Sequence, residues 1–159
     1  MAAPSFQRIL EILDRHGVEL IVVGGVAAVL QGAPVTTFDI DTLVKIDERN
    51  AERLAAALAA LDARYREHSK TLRPTKEDVL AGGHMLLMTN AGPLDVLGFI
   101  GADSRYEDLL PSATTVSVGN LSVRVLSLEE LIAQKKALGR DKDRAMLRLL
   151  EEVLRRRRG

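Results

Sequence analysis

The chain is predicted to fold as an α+β protein, a mixed β-sheet with flanking helices. Three observations carry this reading. Helical and strand periodicities alternate as α-β-α-β-α through the first part of the chain, two β-hairpins follow, and two amphipathic helices come last. Of the 159 residues, 47% are hydrophobic and 28% charged, enough to build a core and too apolar for wholesale disorder. The length fits one domain of ordinary size.

Each element has a local reason. Ser5 can cap a helix whose apolar residues Phe6, Ile9, Leu10 and Leu13 keep the helical period until Gly17 stops it. Glu19 to Val23 reads as a short buried strand running into Gly24-Gly25. Val26 to Leu30 is then a compact apolar helix ended by Gly32, with Gly32-Ala33-Pro34 as loop. Asp39 to Ile46 alternates with period two, as a second strand does. Asp47 caps a long alanine-rich helix with Leu54, Leu58 and Leu61 on one face. Leu72 to Gly83 reads as loop with one helical turn. His84 to Met88 and Leu94 to Leu97 make a hairpin turned by Asn90-Ala91-Gly92-Pro93. Thr114 to Val118 and Leu121 to Leu126 make another. Ser127 with Glu130 forms a capping-box pattern that starts a helix to about Leu138. Gly139 interrupts, and Arg140 to about Arg157 is a last helix with Met146, Leu150 and Val153 inward.

Composition excludes several function classes. Twenty-two basic residues balance 22 acidic ones, which argues against a coat-like DNA binder. Cysteine is absent, so disulfide scaffolds and thiolate metal sites are excluded. No apolar run approaches the ~20 residues of a membrane span. Met1 to Ser5 shows no secretory signal, so a cytoplasmic location is expected. Aromatics are 3% and Trp is missing, which speaks against a stacking platform for single-stranded nucleic acid. Arg155 to Arg158 reads as a solvated tail.

Three features fall at strand ends. Gly24-Gly25 lets a backbone approach a ligand closely, and the helix start behind it offers N–H groups to a phosphate. Asp39 and Asp41 lie two apart, so their carboxylates share a side. Asp95 stands inside the apolar run Leu94 to Leu97, where an unpaired carboxylate is costly. It calls either for a basic partner such as Arg124 or for a place facing Asp39 and Asp41. In the second case three carboxylates converge, and a hard divalent cation such as Mg²⁺ relieves their repulsion. The three histidines make a histidine metal site improbable.

The runs VVGGVAAVLQG…TTFDIDTLV, PLDVLG and LIAQKKALGRDKDRAML resemble the DNA polymerase β-like nucleotidyltransferase superfamily. They look most similar to small bacterial members of the abortive-infection and toxin–antitoxin type, over roughly Leu20 to Leu150. The resemblance implies a minimal nucleotidyltransferase fold as a single domain over residues 1–159, with helices at about 128–157 packed on it. It implies that Gly24, Gly25 and Thr37 bind the nucleotide and that Asp39, Asp41 and Asp95 ligate Mg²⁺ or Mn²⁺ and carry the catalysis. It places Lys135, Arg140 and Lys142 at the nucleotide as well, Lys135 foremost at phosphate. Two departures bear on substrate: Val35 stands where relatives often have Arg, and Gly25 where many have Ser.

The expected reaction is transfer of an NMP from an NTP to a hydroxyl. An RNA 3′ end, such as that of tRNA, is the acceptor the resemblance favours, with a cognate protein from a neighbouring gene as partner. The alternatives are a protein or small-molecule hydroxyl, or a catalytically silent partner subunit.

Overall fold

The first helix, α1 (Phe6–Arg15), starts where the Ser5 hydroxyl accepts the Arg8 N–H at 3.3 Å, in a computed structural model that describes residues 4–67 and 72–159 without the Lys142 side chain. Its buried stripe is Ile9, Leu10, Ile12 and Leu13. Strand β1 (Leu20–Val23) leads directly into α2 (Gly24–Leu30), so the helix begins at the glycines themselves and not at Val26. Strand β2 (Ile40–Val44) is shorter than its alternation suggests, with Asp39 just ahead of it. Helix α3 (Glu48–Ala60) follows, and the Asp47 carboxylate accepts the Asn50 N–H at 2.8 Å. Buried Asn50 also ties this helix to the sheet, donating to the carbonyls of Glu19 (3.0 Å) and Lys45 (2.7 Å).

Two short elements have no sequence forecast: β3 (Arg64–Tyr65) and, further on, α5 (Tyr106–Leu109). Between them come α4 (Lys76–Leu80), β4 (His84–Thr89) and β5 (Gly92–Leu97). The β4–β5 turn is tighter than expected, because Gly92 and Pro93 already pair with Thr89 and Met88. Gly92 manages this with φ at 121°, a conformation that glycine alone adopts easily. A second hairpin, β6 (Ala113–Val118) and β7 (Leu121–Leu126), precedes α6 (Leu128–Leu138), which ends at Gly139 with φ of 61°.

The last helix, α7 (Arg144–Arg158), starts later than its periodicity predicts, since Asp141 to Asp143 form a tight 3₁₀ turn. The arginine run on it is not all free tail. Arg157 donates to the side-chain oxygen of buried Gln31 at 3.1 Å, while Arg155 and Arg156 pair with Glu152.

Among the described residues seven strands form one mixed sheet in the order β3-β4-β5-β2-β1-β7-β6. Strands β2 and β5 run parallel, as do β1 and β7; the other neighbours are antiparallel. Helix α1 packs on β5 and β7, α2 on β1 and β2, and α6 on α2 and α7. The buried core joins these layers, with Ile9 and Leu13 of α1, Ile21 and Leu43 of the central strands, and Leu128 of α6 fully enclosed. Among the described residues no helix is long and apolar enough to cross a membrane.

Candidate active site

The parallel pairing of β2 and β5 brings the acidic residues together. Its register sets Asp41 opposite Asp95, and the buried Thr42 hydroxyl locks it by donating to the Asp95 carbonyl at 3.0 Å. Asp39 joins from the approach to β2. One carboxylate oxygen of each of Asp39, Asp41 and Asp95 lies within 4.8 Å of the others. Asp95 therefore faces the pair, and its basic partner is Arg66, not Arg124. The Arg66 guanidinium donates to Asp95 Oδ1, while Arg124 donates to the Tyr106 hydroxyl at 2.7 Å.

Arg66 gave no signal in the sequence. It follows a two-residue strand too short to show periodicity, and its N–H donates to the Leu86 carbonyl at 3.1 Å. Leu86 is the register partner of Asp95. Arg66 is thus the far end of a row that runs through Leu86, Asp95 and Asp41 to Val23.

The electrostatics of the row are unbalanced. Asp41 Oδ1 is buried and accepts no hydrogen bond from the described residues. Burial, then hydrogen bonding with Asp95, then the charges of Asp95 and Asp39, push the Asp41 carboxyl up to about 8. Asp39 is also raised, by burial first and by the Asp95 charge second, with Arg66 pulling the other way. Carboxylates crowded like this hold protons or a cation. Oxygen donors with one buried lone-pair site open fit a hard divalent ion.

The glycine turn meets this row. Gly24 has φ of 67°, and a Cβ there would lie 2.2 Å from Asp41 Oδ2. A Cβ on Gly25 would lie 2.7 Å from Thr37 Oγ1, which itself donates to the Asp39 carbonyl at 3.0 Å. Both glycines make room for the loop and strand that carry the carboxylates. Their backbone still lines a cavity of about 180 Å³ together with Asp41, Gln134 and Lys135. The rest of its wall is mainly apolar, from Leu97 and Ile100 to Met146 and Leu150.

Among the described side chains of the late basic group, Lys135 is on that wall. Its ammonium reaches Asp143 Oδ1 at 2.9 Å, and Arg140 Nε reaches Asp143 Oδ2 at 2.6 Å. Hydrogen bonds from Arg140 and then Lys135 hold the Asp143 carboxyl down at about 2. Arg140 is half-exposed and is not on the cavity wall, and the Lys142 side chain lies outside the described part of the chain.

The seven-stranded mixed sheet and seven α-helices seen among the described residues match the nucleotidyltransferase fold, and solved structures of that kind superpose on it. The lincosamide antibiotic adenylyltransferase LnuA, with lincomycin bound, superposes with a TM-score of 0.64 at 15% identity, over 96% of this chain and 99% of that one. ANT(2″)-Ia in complex with adenylyl-2″-tobramycin gives 0.60 at 20% identity, over 93% and 86%. A nucleotidyltransferase-type protein of Thermotoga maritima gives 0.58 at 23% identity, over 93% of each chain. At these identities the likeness establishes the fold. No protein-family model and no curated protein matches the sequence.

Proposed function

We propose that this chain, as a single domain over residues 1–159, is a metal-dependent nucleotidyltransferase that moves an NMP from an NTP to a hydroxyl. The observation that carries the reading is the buried Asp41 Oδ1, without a partner among the described residues, amid three converging carboxylates. A bare buried carboxylate oxygen is costly unless something binds it. Asp39, Asp41 and Asp95 would hold Mg²⁺ or Mn²⁺, which when bound offsets their charge and takes up triphosphate oxygens.

The chain's own groups do the rest. The Gly24-Gly25 backbone and Lys135 border the same cavity, so a triphosphate entering it meets backbone on one side and an ammonium on another. Arg140 adds a second basic group at the α6–α7 junction, where Lys142 also falls in the sequence, and Thr37 fixes the loop that carries Asp39. The acceptor oxygen attacks the α-phosphorus, the bond to the bridging oxygen breaks, and pyrophosphate departs with that electron pair. Asp95 takes the hydroxyl proton.

For the acceptor, the motif resemblance supports an RNA 3′ end such as that of tRNA, within a toxin–antitoxin pair whose second protein comes from a neighbouring gene. A small-molecule hydroxyl is the second reading. It is favoured by two proteins of the same fold that were solved with lincomycin and with adenylyl-2″-tobramycin. Incubation with labelled NTPs, Mg²⁺, total RNA, cell protein and a small-molecule extract tests both. Label on RNA supports the first and label on a small molecule the second; label on protein moves the acceptor to a protein hydroxyl. No label and no NTP binding would leave a catalytically silent partner subunit and overturn the enzyme reading.

A further inference from the structure

We propose that Arg66 is the resident counter-charge of this site and limits the free protein to a single divalent cation. The inference rests on the metal reading above and concerns a residue that the transfer itself does not use. Pairing of β3 with β4 puts Arg66 beside Leu86, and its guanidinium reaches across to Asp95 Oδ1. Both side chains are sheltered, at 23% and 13% exposure, so solvent screens the pair weakly. A guanidinium cannot lose its proton in a protein, so this positive charge is permanent.

The charge count then fixes the cation count. Among the described residues, three carboxylates and one guanidinium leave the cluster at minus two when its acids are ionised, which one divalent cation cancels. A second cation would leave a sheltered site at plus two, an excess that low-dielectric surroundings strongly oppose. The donors are unequal as well: Asp95 Oδ1 already holds Arg66, whereas Asp41 Oδ1 is buried with no partner among the described residues. A second cation must displace Arg66 or arrive with anionic oxygens of its own, as a metal-bound triphosphate does.

The test is a Mn²⁺ titration followed by electron paramagnetic resonance, on the full chain without nucleotide. Wild type should bind a single Mn²⁺. Arg66→Gln should bind a second, and should hold the first roughly tenfold or more tightly, since an arginine beside a carboxylate lowers its affinity for positive charge by at least that factor. Arg66→Lys keeps the charge and should keep the wild-type count. Two ions on wild type, or an Arg66→Gln protein with unchanged count and affinity, would overturn the proposal and leave the metal site standing. No Mn²⁺ on wild type would remove the metal reading itself, and this inference with it. Where Arg66→Gln folds poorly, two ions on wild type still overturn the proposal.

Discussion

Asp41 and Asp95 stand directly opposite each other across the parallel pair β2–β5, and Arg66 satisfies only the second. Two carboxylates at one register position repel, so the row is built against its own stability in the absence of a cation. A fold keeps such a conflict where function requires it.

The first prediction is a pH slope. The Asp41 carboxyl titrates at about 8 in the folded chain, against an ordinary value of 3.8 in the unfolded one. Between those values the folded state binds more protons, so stability is greatest at the acid side and falls as pH rises toward about 8. In EDTA the melting temperature should decline from pH 5 to pH 8 by several degrees. Asp41→Asn should remove most of that slope, and Mn²⁺ should flatten it in wild type. A wild-type curve that matches the Asp41→Asn curve in EDTA would show that Asp41 does not titrate in this range.

A second prediction separates the two glycines. Gly24→Ala places a Cβ 2.2 Å from Asp41 Oδ2 and puts a side chain on a φ of 67°. The strain alone is about 1–3 kcal/mol, and the displaced carboxylate should lose Mn²⁺ binding as well. Gly25→Ala has no such φ and collides with Thr37, so its damage should pass through the Asp39 loop. Adding Thr37→Gly should restore much of the stability lost by Gly25→Ala and nothing of that lost by Gly24→Ala. Calorimetric melting of the four proteins checks this.

How much of this was legible in the chain depends on range. Helices α1, α3 and α6 announce themselves through local caps at Ser5, Asp47 and Ser127 and through apolar spacing. Asp39 and Asp41 are legible because two residues of one strand share a face. Asp95 is visible only as an anomaly, since its neighbour is chosen by a pairing that spans 53 residues, as the Thr42 bond to its carbonyl shows. Arg66 is invisible for a stronger reason. Its position depends on β3, whose two residues carry no pattern, and on the docking of that strand beyond β4. The constraint on Gly25 was likewise hidden, because what fills its Cβ direction is Thr37, a loop residue placed by tertiary structure.

The third prediction concerns Lys135, which both pairs with Asp143 and lines the cavity beside Gly24. Lys135→Met should weaken NTP binding about tenfold, the size expected for one charge-assisted hydrogen bond. Asp143→Asn leaves the ammonium in place and should keep or raise NTP affinity. Its cost should appear in stability instead. The Asp143 carboxyl is held down at about 2, so its contribution is present above about 4 and is lost as pH falls toward 2. Equal losses of NTP binding in the two variants would make Lys135 a purely structural partner.

The last prediction addresses Asp95, which has two neighbours pulling in opposite directions. Removing one partner of an isolated buried ion pair costs about 3–5 kcal/mol, because the other charge is left bare. Asp95→Asn does leave Arg66 without its hydrogen-bonded oxygen, but it also removes one of three crowded carboxylates. Arg66 then still has the negative charge of Asp39 and Asp41 nearby, which its influence on both of their titrations shows. The net loss in EDTA should therefore stay below about 2 kcal/mol, well short of the cost for an isolated pair. Transfer of NMP should nevertheless fall by several orders of magnitude, since Asp95 is both ligand and proton acceptor in the proposed reaction. Arg66→Gln in the same background completes a double-mutant cycle. With Asp95 already neutral, the second change should cost less than Arg66→Gln alone, by the energy of the pair. Melting in EDTA together with NTP turnover measures both quantities. A severely unstable Asp95→Asn protein would place Asp95 in the scaffold and reduce the reacting group to Asp39 and Asp41.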